Sequence, residues 1–338
     1  MIVITGGAGM IGSMVACHLN QKLGRNDLVI VDHITHESQW QNLVHRHYIE
    51  YLDKDQLFDY LDGNEDAEID AVIHMGAISA TTERDYNKLV EANIHYSQDL
   101  WGWCAQHEVP FFYASSAATY GDGANGYDDA SIEKLRPLNG YGYSKHFFDQ
   151  WALRQQAENA PQPPAWAGFK FFNVYGPNEY HKERMASVAF HTFNQVKATG
   201  GMKLFKSNKP DVADGMQSRY FVFVKDCADI IAHFLNQATG FDQNTATENP
   251  CQNGIYNIGT GQARSFNDLA SAVMNSMDIK PNIDFIDMPE DLQGKYQYFT
   301  QANVAKLRAA GYSKAFTSLE DGVKDYVQNY LLSEDKYG

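Results

Sequence analysis

The sequence predicts an α/β fold, a Rossmann-type doubly wound parallel sheet with a smaller C-terminal α/β domain. Short apolar strands alternate with helical segments through the first half of the chain, as they do in βαβ units. The first strand runs directly into a glycine-rich turn that opens a helix. Beyond residue 173, polar and turn-rich segments separate the elements, which indicates a second structural unit.

The strands of the sheet are predicted mainly in the first half, with helices between them such as the one at 88–107. They are IVIT at 2–5, DLVIVD at 27–32, AVIHMGA at 71–77, PFFYASS at 110–116 and FKFFNVYGP at 169–177. The second half has a strand and helix at 220–237, a strand at 254–261 and an amphipathic helix at 265–277. Two polar segments, 207–217 and 239–253, are predicted to be surface insertions.

Length and charge limit the classes of partner. A chain of 338 residues with 44% apolar content has enough material for one large domain or two coupled ones. The formal net charge is −15 and the sequence pI is about 5.1. Such an acidic chain is a poor binder of nucleic acid or of acidic membranes, because phosphates attract basic surfaces. A small phosphorylated molecule, held by a few local cations and backbone amides, remains compatible with this charge.

The cysteines and the absence of apolar spans predict a cytoplasmic protein. The four cysteines, at 17, 104, 227 and 251, are far apart and form no CxxC pair. Neither a disulfide framework nor a metal site is therefore expected, and a reducing compartment is the simplest interpretation. The sequence shows no cationic leader and no apolar run long enough to span a bilayer.

The glycine turn predicts a dinucleotide site. TGGAGMIG places Gly6, Gly9 and Gly12 between the first strand and the first helix. Glycines let the backbone approach a pyrophosphate, which then lies at the positive N-terminus of the helix. Asp32 ends the second strand, twenty residues past Gly12, where a carboxylate binds the adenosine ribose. A tight turn without a ligand is the alternative, and the strand–turn–helix context argues against it.

Domain boundaries follow from the same pattern. Residues 1–173, with a return segment at about 222–258, are assigned to the dinucleotide-binding Rossmann domain. The segments at about 174–221 and 259–338 are assigned to a substrate domain.

The motif YGYSK predicts catalytic chemistry on one helix face. Tyr141 and Lys145 are four residues apart, so they share a face of the helix. A tyrosine has a reference pKa of about 10, and a neighbouring ammonium favours its phenolate. The phenolate would then take a proton from a substrate hydroxyl while the adjacent carbon gives up hydride. Ser116, at the end of the FFYASS strand, supplies a hydroxyl for the substrate oxygen. A chance surface pair is the alternative for YxxxK alone.

Taken together, TGGAGMIG, SSAATYG, YGYSK and FFNVYGP resemble the extended short-chain dehydrogenase/reductase family. Members of this family act largely on nucleotide sugars. The resemblance implies that Ser116, Tyr141 and Lys145 carry out the redox step and that Lys182 is a second acid/base. It implies cofactor contacts at Gly6, Gly9, Met10, Ile11, Gly12, Asp32, His33, Gln39, Lys54, Met75, Gly76, Ala77, Ser79, Asn93, Tyr141, Lys145, Val174 and Lys182. It implies substrate contacts at Ser116, Asn173, Arg184, His191, Leu204, Phe205, Lys206, Ser207, Arg219 and Tyr296.

Three further stretches narrow the resemblance to the branch of this family that epimerises an ADP-linked heptose at C6. They are HKERMASVAFH at 181–191, YNIGTG at 256–261 and GKYQYFTQANVAKLRAAGY at 294–312. That branch uses NADP, makes a precursor of the lipopolysaccharide core, and forms homo-oligomers, with a pentamer as the implied form. Two positions depart from its pattern. Arg184 replaces a small hydroxyl residue, and Gln39 replaces a lysine that helps to bind the 2′-phosphate, so NAD is the alternative cofactor.

Three other functions fit parts of the pattern. Another nucleotide-sugar enzyme, either a UDP-hexose 4-epimerase or a 4,6-dehydratase, would share the same motifs. The dehydratase fits less well, because an acidic pair typical of that group is replaced here by Ala117 and Ala118. A non-catalytic cofactor-binding protein would usually lack the tyrosine or the lysine, and both are present.

Overall fold

The computed structural model describes residues 1–64, 68–241, 251–288 and 302–338. Its strands are β1 (Ile2–Thr5), β2 (Leu28–Asp32), β3 (Glu50–Asp53), β4 (Ala71–His74), β5 (Phe111–Ser116), β6 (Trp166–Phe171), β7 (Asn173–Tyr175), β8 (Met202–Phe205), β9 (Ser218–Arg219), β10 (Phe221–Phe223), β11 (Gly254–Ile258), β12 (Arg264–Ser265) and β13 (Ile283–Ile286). Its helices are α1 (Met10–Leu23), α2 (Leu57–Gly63), α3 (Tyr86–Val90), α4 (Tyr96–Gln106), α5 (Gly140–Ala157), α6 (Val188–Thr199), α7 (Val224–Thr239), α8 (Phe266–Ser276), α9 (Ala305–Ala309) and α10 (Leu319–Tyr326).

Seven of these strands form one parallel sheet in the order β11-β6-β5-β4-β1-β2-β3. The order reverses direction between β1 and β4, as it does in doubly wound folds. The predicted fold class is therefore confirmed. Because all seven strands run the same way, their carboxyl ends meet at one edge of the sheet, where such folds bind their ligands.

The sheet is buried on both faces because its strands are apolar on both sides. In β1, Ile2 and Ile4 pack into the core beneath α1 and α7, whereas Val3 packs beneath α4 and α5. The aromatic side of this second core contains Trp101, whose ring lies 5.1 Å from that of Trp166.

The predicted strand at 169–177 is divided between two sheets. β6 ends at Phe171. Phe172 N–H still donates to the Ile258 carbonyl of β11 at 3.1 Å, whereas Asn173 N–H donates to the Tyr220 carbonyl at 3.0 Å. β7 then pairs with β10 in a separate two-stranded sheet. This switch directs the chain out of the central sheet just beyond its carboxyl edge.

The remaining small sheets and helices lie in the second half of the chain. β8 pairs with β13, and β9 pairs with β12. α6, α8 and α10 pack around an apolar cluster that includes Phe193, Leu269 and Val323. Among the helices of the described ranges, none has both the length and the apolar character needed to cross a bilayer. All four cysteines are free thiols.

Candidate active site

The glycine turn is shaped by contacts that exclude side chains. Gly6 has φ +65°, and a Cβ added there would lie 2.5 Å from the backbone nitrogen of Gly76. A Cβ added at Gly12 would lie 2.2 Å from the Gly6 carbonyl oxygen. Both distances are far below van der Waals contact, so only glycine fits. α1 begins at Met10, immediately after Gly9, and its N-terminus therefore faces the turn.

Asp32 is tied to the glycine turn. Its carboxylate accepts hydrogen bonds from Ala8 N–H at 2.8 Å and from His33 N–H at 2.7 Å. Burial raises the pKa of Asp32, and these backbone donors partly oppose the rise. The carboxylate thus fixes the turn to the end of β2, at the position predicted for the adenosine ribose.

The cations predicted for the same end of the site are exposed and paired with acids. His33 Nδ1 lies 2.8 Å from Asp53, and Lys54 pairs with Asp55. Gln39 is buried at the start of a 3₁₀ turn, Gln39–Leu43. Exposed pairs of this kind contribute about 0–1 kcal/mol each, so a phosphate can replace the acid partner at little cost.

Ser116 and Tyr141 come together at the carboxyl edge of the sheet. Tyr141 lies in the first turn of α5, which Asn139 caps by accepting from Gly142 N–H at 2.8 Å. Burial raises the pKa of Tyr141, the hydrogen bond with the Ser116 hydroxyl lowers it, and the charge of Asp149 raises it. The net direction is upward, so the low pKa expected from the sequence is not present without a cofactor. Burial outweighs the hydrogen bond.

Lys145 lies one turn further along α5 and is almost fully buried, with 4% of its surface exposed. Burial lowers its pKa to about 8, and the charge of Asp149 acts in the opposite direction. A lysine with this pKa exchanges its proton near neutral pH. Tyr141 and Lys145 therefore share one helix face at the edge of the sheet. Of the two, Lys145 has the strongly lowered pKa.

Asn93 connects the loop after β4 to α5. It lies in a π turn, Glu91–His95, which joins α3 to α4. Its side chain accepts from Ile78 N–H at 2.8 Å and donates to the Ile78 carbonyl at 3.0 Å. It also donates to the Ser144 hydroxyl at 2.9 Å. This places the predicted cofactor residues Met75, Gly76, Ala77 and Ser79 in a loop fixed to the residue beside Lys145.

The Lys182 loop, residues 176–187, is held against the glycine turn. Asn42 donates to the carbonyl of Ala8 at 2.8 Å and to that of Asn178 at 3.0 Å. Asn178 in turn donates to the Ser13 hydroxyl at 2.9 Å. Burial lowers the pKa of Lys182, and the charge of Glu179 opposes this. The structure thus joins the loop of the predicted second acid/base to the predicted cofactor site.

The other predicted substrate residues differ in what they can offer a ligand. Asn173 is exposed at the start of β7, next to half-buried Val174, and Arg184 and His191 are exposed. Arg219 is 6% exposed, donates to the Ser218 carbonyl at 2.9 Å and lies over the Phe266 ring.

The segment at the end of β8 was also predicted to contact substrate. The Leu204 side chain is packed in the apolar core, and its backbone lies in the sheet formed by β8 and β13. Phe205 is half-buried, Lys206 pairs with Asp287 at 2.9 Å, and Ser207 donates its N–H to Asp214 at 2.7 Å. Tyr296 lies outside the described residues.

Comparison with known proteins decides the family. The sequence model of the NAD dependent epimerase/dehydratase family matches residues 2–259. The chain belongs to the NAD dependent epimerase/dehydratase family. A nicotinamide dinucleotide is the cofactor after which this family is named, in agreement with the glycine turn. The matched range covers β1 to β11 and includes Ser116, Tyr141, Lys145 and Lys182.

Relatives of the chain match it over their whole length. A protein of Fusobacterium nucleatum named ADP-L-glycero-D-manno-heptose-6-epimerase is 52% identical, with 100% of both chains covered. A protein of the same name from Nitratidesulfovibrio vulgaris is 48% identical over 100% of both chains. The crystal structure of the Helicobacter pylori protein of this name has a TM-score of 0.79 and 26% identity, covering 97% of this chain and 95% of that one.

Several residues that shape the site were not found by sequence reasoning. Asp149 was detectable, because it continues the i, i+4 spacing of Tyr141 and Lys145 along one helix face. Glu179 was less apparent, although it lies only three residues before Lys182. Asn42 gives no local signal, because its partners Ala8 and Asn178 are 34 and 136 residues away.

Proposed function

We propose that this protein converts ADP-D-glycero-D-manno-heptose to ADP-L-glycero-D-manno-heptose by transient oxidation and re-reduction at C6, with NADP as the bound cofactor. The observation that carries the proposal is the full-length identity of 52% and 48% to relatives named for this epimerase. The hydrogen bond between Ser116 and Tyr141, with Lys145 on the next turn, supports redox chemistry at a substrate hydroxyl.

The glycine turn fits the cofactor. The contacts at Gly6 and Gly12 leave a side-chain-free surface at the N-terminus of α1, which suits a pyrophosphate. Asp32 stands at the end of β2, where the ribose of a dinucleotide binds. When bound, the dinucleotide supplies a reversible hydride acceptor.

Side chains of the protein would then accept and donate the protons. Ser116 orients the C6 oxygen by hydrogen bonding, and Tyr141 removes the hydroxyl proton from one epimer. The two epimers direct this hydroxyl to opposite sides of the carbon, while hydride leaves toward one fixed face. A second acid/base is therefore needed for the other epimer, and Lys182 has the burial and the lowered pKa that suit this role.

The second half of the chain would hold the ADP-sugar. We propose residues 174–221 and 259–338 as the substrate domain, with Arg219 as a phosphate ligand because its guanidinium offers a fork of donors. Homo-oligomerisation, as a pentamer, is proposed from the family resemblance and is measured by analytical ultracentrifugation.

The decisive experiment is an assay of the purified protein with pure ADP-D-glycero-D-manno-heptose, in which the two epimers are resolved by NMR of the heptose protons. Formation of the L-glycero epimer to an equilibrium mixture is the expected result. UDP-glucose and UDP-galactose serve as competing substrates, because the alternative is a UDP-hexose 4-epimerase. Conversion of these without conversion of the ADP-heptose would reject the proposal.

A further inference from the structure

A buried carboxylate bridges the two ends of the Lys182 loop. Glu179 Oε1 accepts from Gly176 N–H at 3.4 Å and from the Ser187 hydroxyl at 2.7 Å, and Oε2 accepts from Ser187 N–H. Gly176 follows β7, and Ser187 is the N-cap of α6. One side chain therefore connects the entry and the exit of the segment that carries the lysine.

The backbone of this loop needs such support. Asn178 and Glu183 both have positive φ, at 71° and 46°, in a region that costs energy for residues with a Cβ. Lys182 N–H donates to the Glu179 carbonyl at 3.0 Å, which forms a tight turn between carboxylate and lysine. The position of the lysine thus depends directly on how Glu179 is held.

The charges of Glu179 and Lys182 also interact, because each raises or lowers the pKa of the other in favour of its ionised form. Its side chain is fully buried, so its charge is weakly screened. Burial raises the pKa of Glu179, while the donors on Ser187 and the ammonium of Lys182 favour its ionised form.

Three titratable groups nearby, Tyr180, Tyr326 and His181, have pKa values shifted toward their neutral forms. Burial raises the pKa values of the Tyr180 and Tyr326 phenols, which both interact with Glu179. Burial and the charge of Lys182 lower the pKa of His181 to about 4, with a smaller effect from His36. His36 itself lies 3.8 Å from the exposed Glu183. Glu179 is the buried carboxylate whose charge acts on Lys182, and Glu183 is the exposed one.

We infer that Glu179 is a positioning residue for Lys182: it fixes the loop that carries the lysine and supplies the negative charge that faces its ammonium. This rests on the proposed function, in which Lys182 exchanges a proton with one of the two epimers. The role is distinct from loop stability alone, because it requires the charge of Glu179 as well as its hydrogen bonds.

Glu179→Gln separates charge from hydrogen bonding. The amide oxygen can still accept from Ser187 N–H, and the amide nitrogen can donate to the Ser187 hydroxyl, so most of the loop contacts persist. Loss of the negative charge removes stabilisation of the ammonium, and the pKa of Lys182 should fall. This is measured by NMR titration of ¹³C-lysine-labelled protein, with the Lys182 resonance identified by its absence in Lys182→Met.

The control is Glu183→Gln, which removes an exposed carboxylate from the same loop and should leave the Lys182 titration unchanged. A Lys182 titration that is the same in Glu179→Gln as in the parent would overturn the inference. Because this readout needs no substrate, it remains valid even if the protein does not epimerise an ADP-heptose.

Activity provides the second test. In Glu179→Gln, the limb of the pH–rate profile that depends on Lys182 should move to lower pH. In Glu179→Ala, which removes the bridge between Gly176 and Ser187, kcat should fall by roughly a hundredfold, the cost of a misplaced catalytic group. Unchanged kcat in Glu179→Ala would contradict the positioning role.

Discussion

Asp149 and Lys170 form an ion pair in which neither side chain is exposed to solvent. Asp149 lies one helical turn beyond Lys145 on α5, and Lys170 projects from β6. Asp149 also accepts from the Tyr113 hydroxyl at 2.9 Å and the Ser115 hydroxyl at 2.7 Å. α5 is therefore attached to the sheet by a buried, hydrogen-bonded ion pair one turn beyond Lys145, on the face that also carries Tyr141.

Removing one member of this ion pair should lower the free energy of unfolding more than removing both. Lys170→Met leaves the Asp149 carboxylate buried without its cation, and we expect a loss of about 3–5 kcal/mol in the free energy of unfolding. The double variant Asp149→Leu with Lys170→Met removes both charges of the pair and should recover part of that loss, since the Tyr113 and Ser115 hydroxyls then lack their acceptor. Urea denaturation followed by circular dichroism measures both.

Lys203→Met is the matched control, because it makes the same substitution at an exposed lysine. Its stability should lie within about 0.5 kcal/mol of the parent. A Lys170→Met variant as stable as this control would show that the pair contributes nothing to the fold.

The glycine turn allows a test of the cofactor site. In Gly12→Ala, the new Cβ would lie 2.2 Å from a backbone oxygen, so the turn must open and lose its fit to a pyrophosphate. We expect cofactor affinity to fall at least about tenfold, measured by quenching of protein fluorescence on titration with NADP. Gly63→Ala, at the end of α2, meets no atom within 4 Å and should bind as the parent does. Equal affinity in both variants would contradict the assigned site.

Much of the central sheet could be predicted because its signals are local. Apolar, β-branched runs such as IVIT and LVIVD mark buried parallel strands, and the glycines between β1 and α1 mark the turn. β3 was missed, because EYLD is short, has an acid at each end and lies at the edge of the sheet, where one side needs no strand partner. The division of 169–177 into β6 and β7 was also missed, because it depends on partners more than 40 residues away.

The site was predictable to the extent that its residues lie in short motifs. Tyr141 and Lys145 share one pentapeptide, and their spacing on a helix sets their common face. Their proton affinities were not predictable, because burial depends on the whole fold. The pKa of Tyr141 is raised where the sequence favoured a lowered value.

If Tyr141 and Lys182 each serve one epimer, removing either residue should leave hydride exchange with the other epimer intact. Tyr141→Phe and Lys182→Met should each abolish net epimerisation, because each removes the proton acceptor for one epimer. Each variant should still exchange hydride with the other epimer, and the surviving epimer should differ between them. Single-turnover reduction of the cofactor, followed by nicotinamide absorbance with each pure epimer, measures this.

Two controls accompany this experiment. Tyr143→Phe changes an exposed tyrosine on the same helix, and Lys197→Met changes an exposed lysine on α6. Both should epimerise normally. A Lys182→Met variant that interconverts the epimers at near the parent rate would reject the two-base mechanism and leave Tyr141 acting alone or through water.

The cofactor should be released as NADP when purified protein is denatured and its nucleotide is weighed by mass spectrometry. Lys54, which follows β3, and His33, which follows β2, are basic residues beside acids that a 2′-phosphate can replace. Lys54→Ala should therefore weaken NADP binding and leave NAD binding nearly unchanged, whereas Lys22→Ala, an exposed lysine at the end of α1, should affect neither. Release of NAD alone would overturn the NADP prediction.

Lys145 should lower the stability of the cofactor-free protein in a pH-dependent way. Its pKa falls from 10.5 to about 8 on folding, so at pH 7 the folded state holds a proton that burial disfavours. Between pH 8 and 10.5 the unfolded chain binds this proton and the folded protein does not, and the free energy of unfolding therefore rises with pH.

Lys145→Met removes the buried charge and should be up to about 3 kcal/mol more stable than the parent at pH 7. The difference should shrink as the pH rises through this window, in urea titrations at a series of pH values. The same variant should bind NADP more weakly, because Lys145 is one of the predicted cofactor contacts. A stability difference that does not change with pH would show that Lys145 is not a strained, buried ammonium in the folded protein.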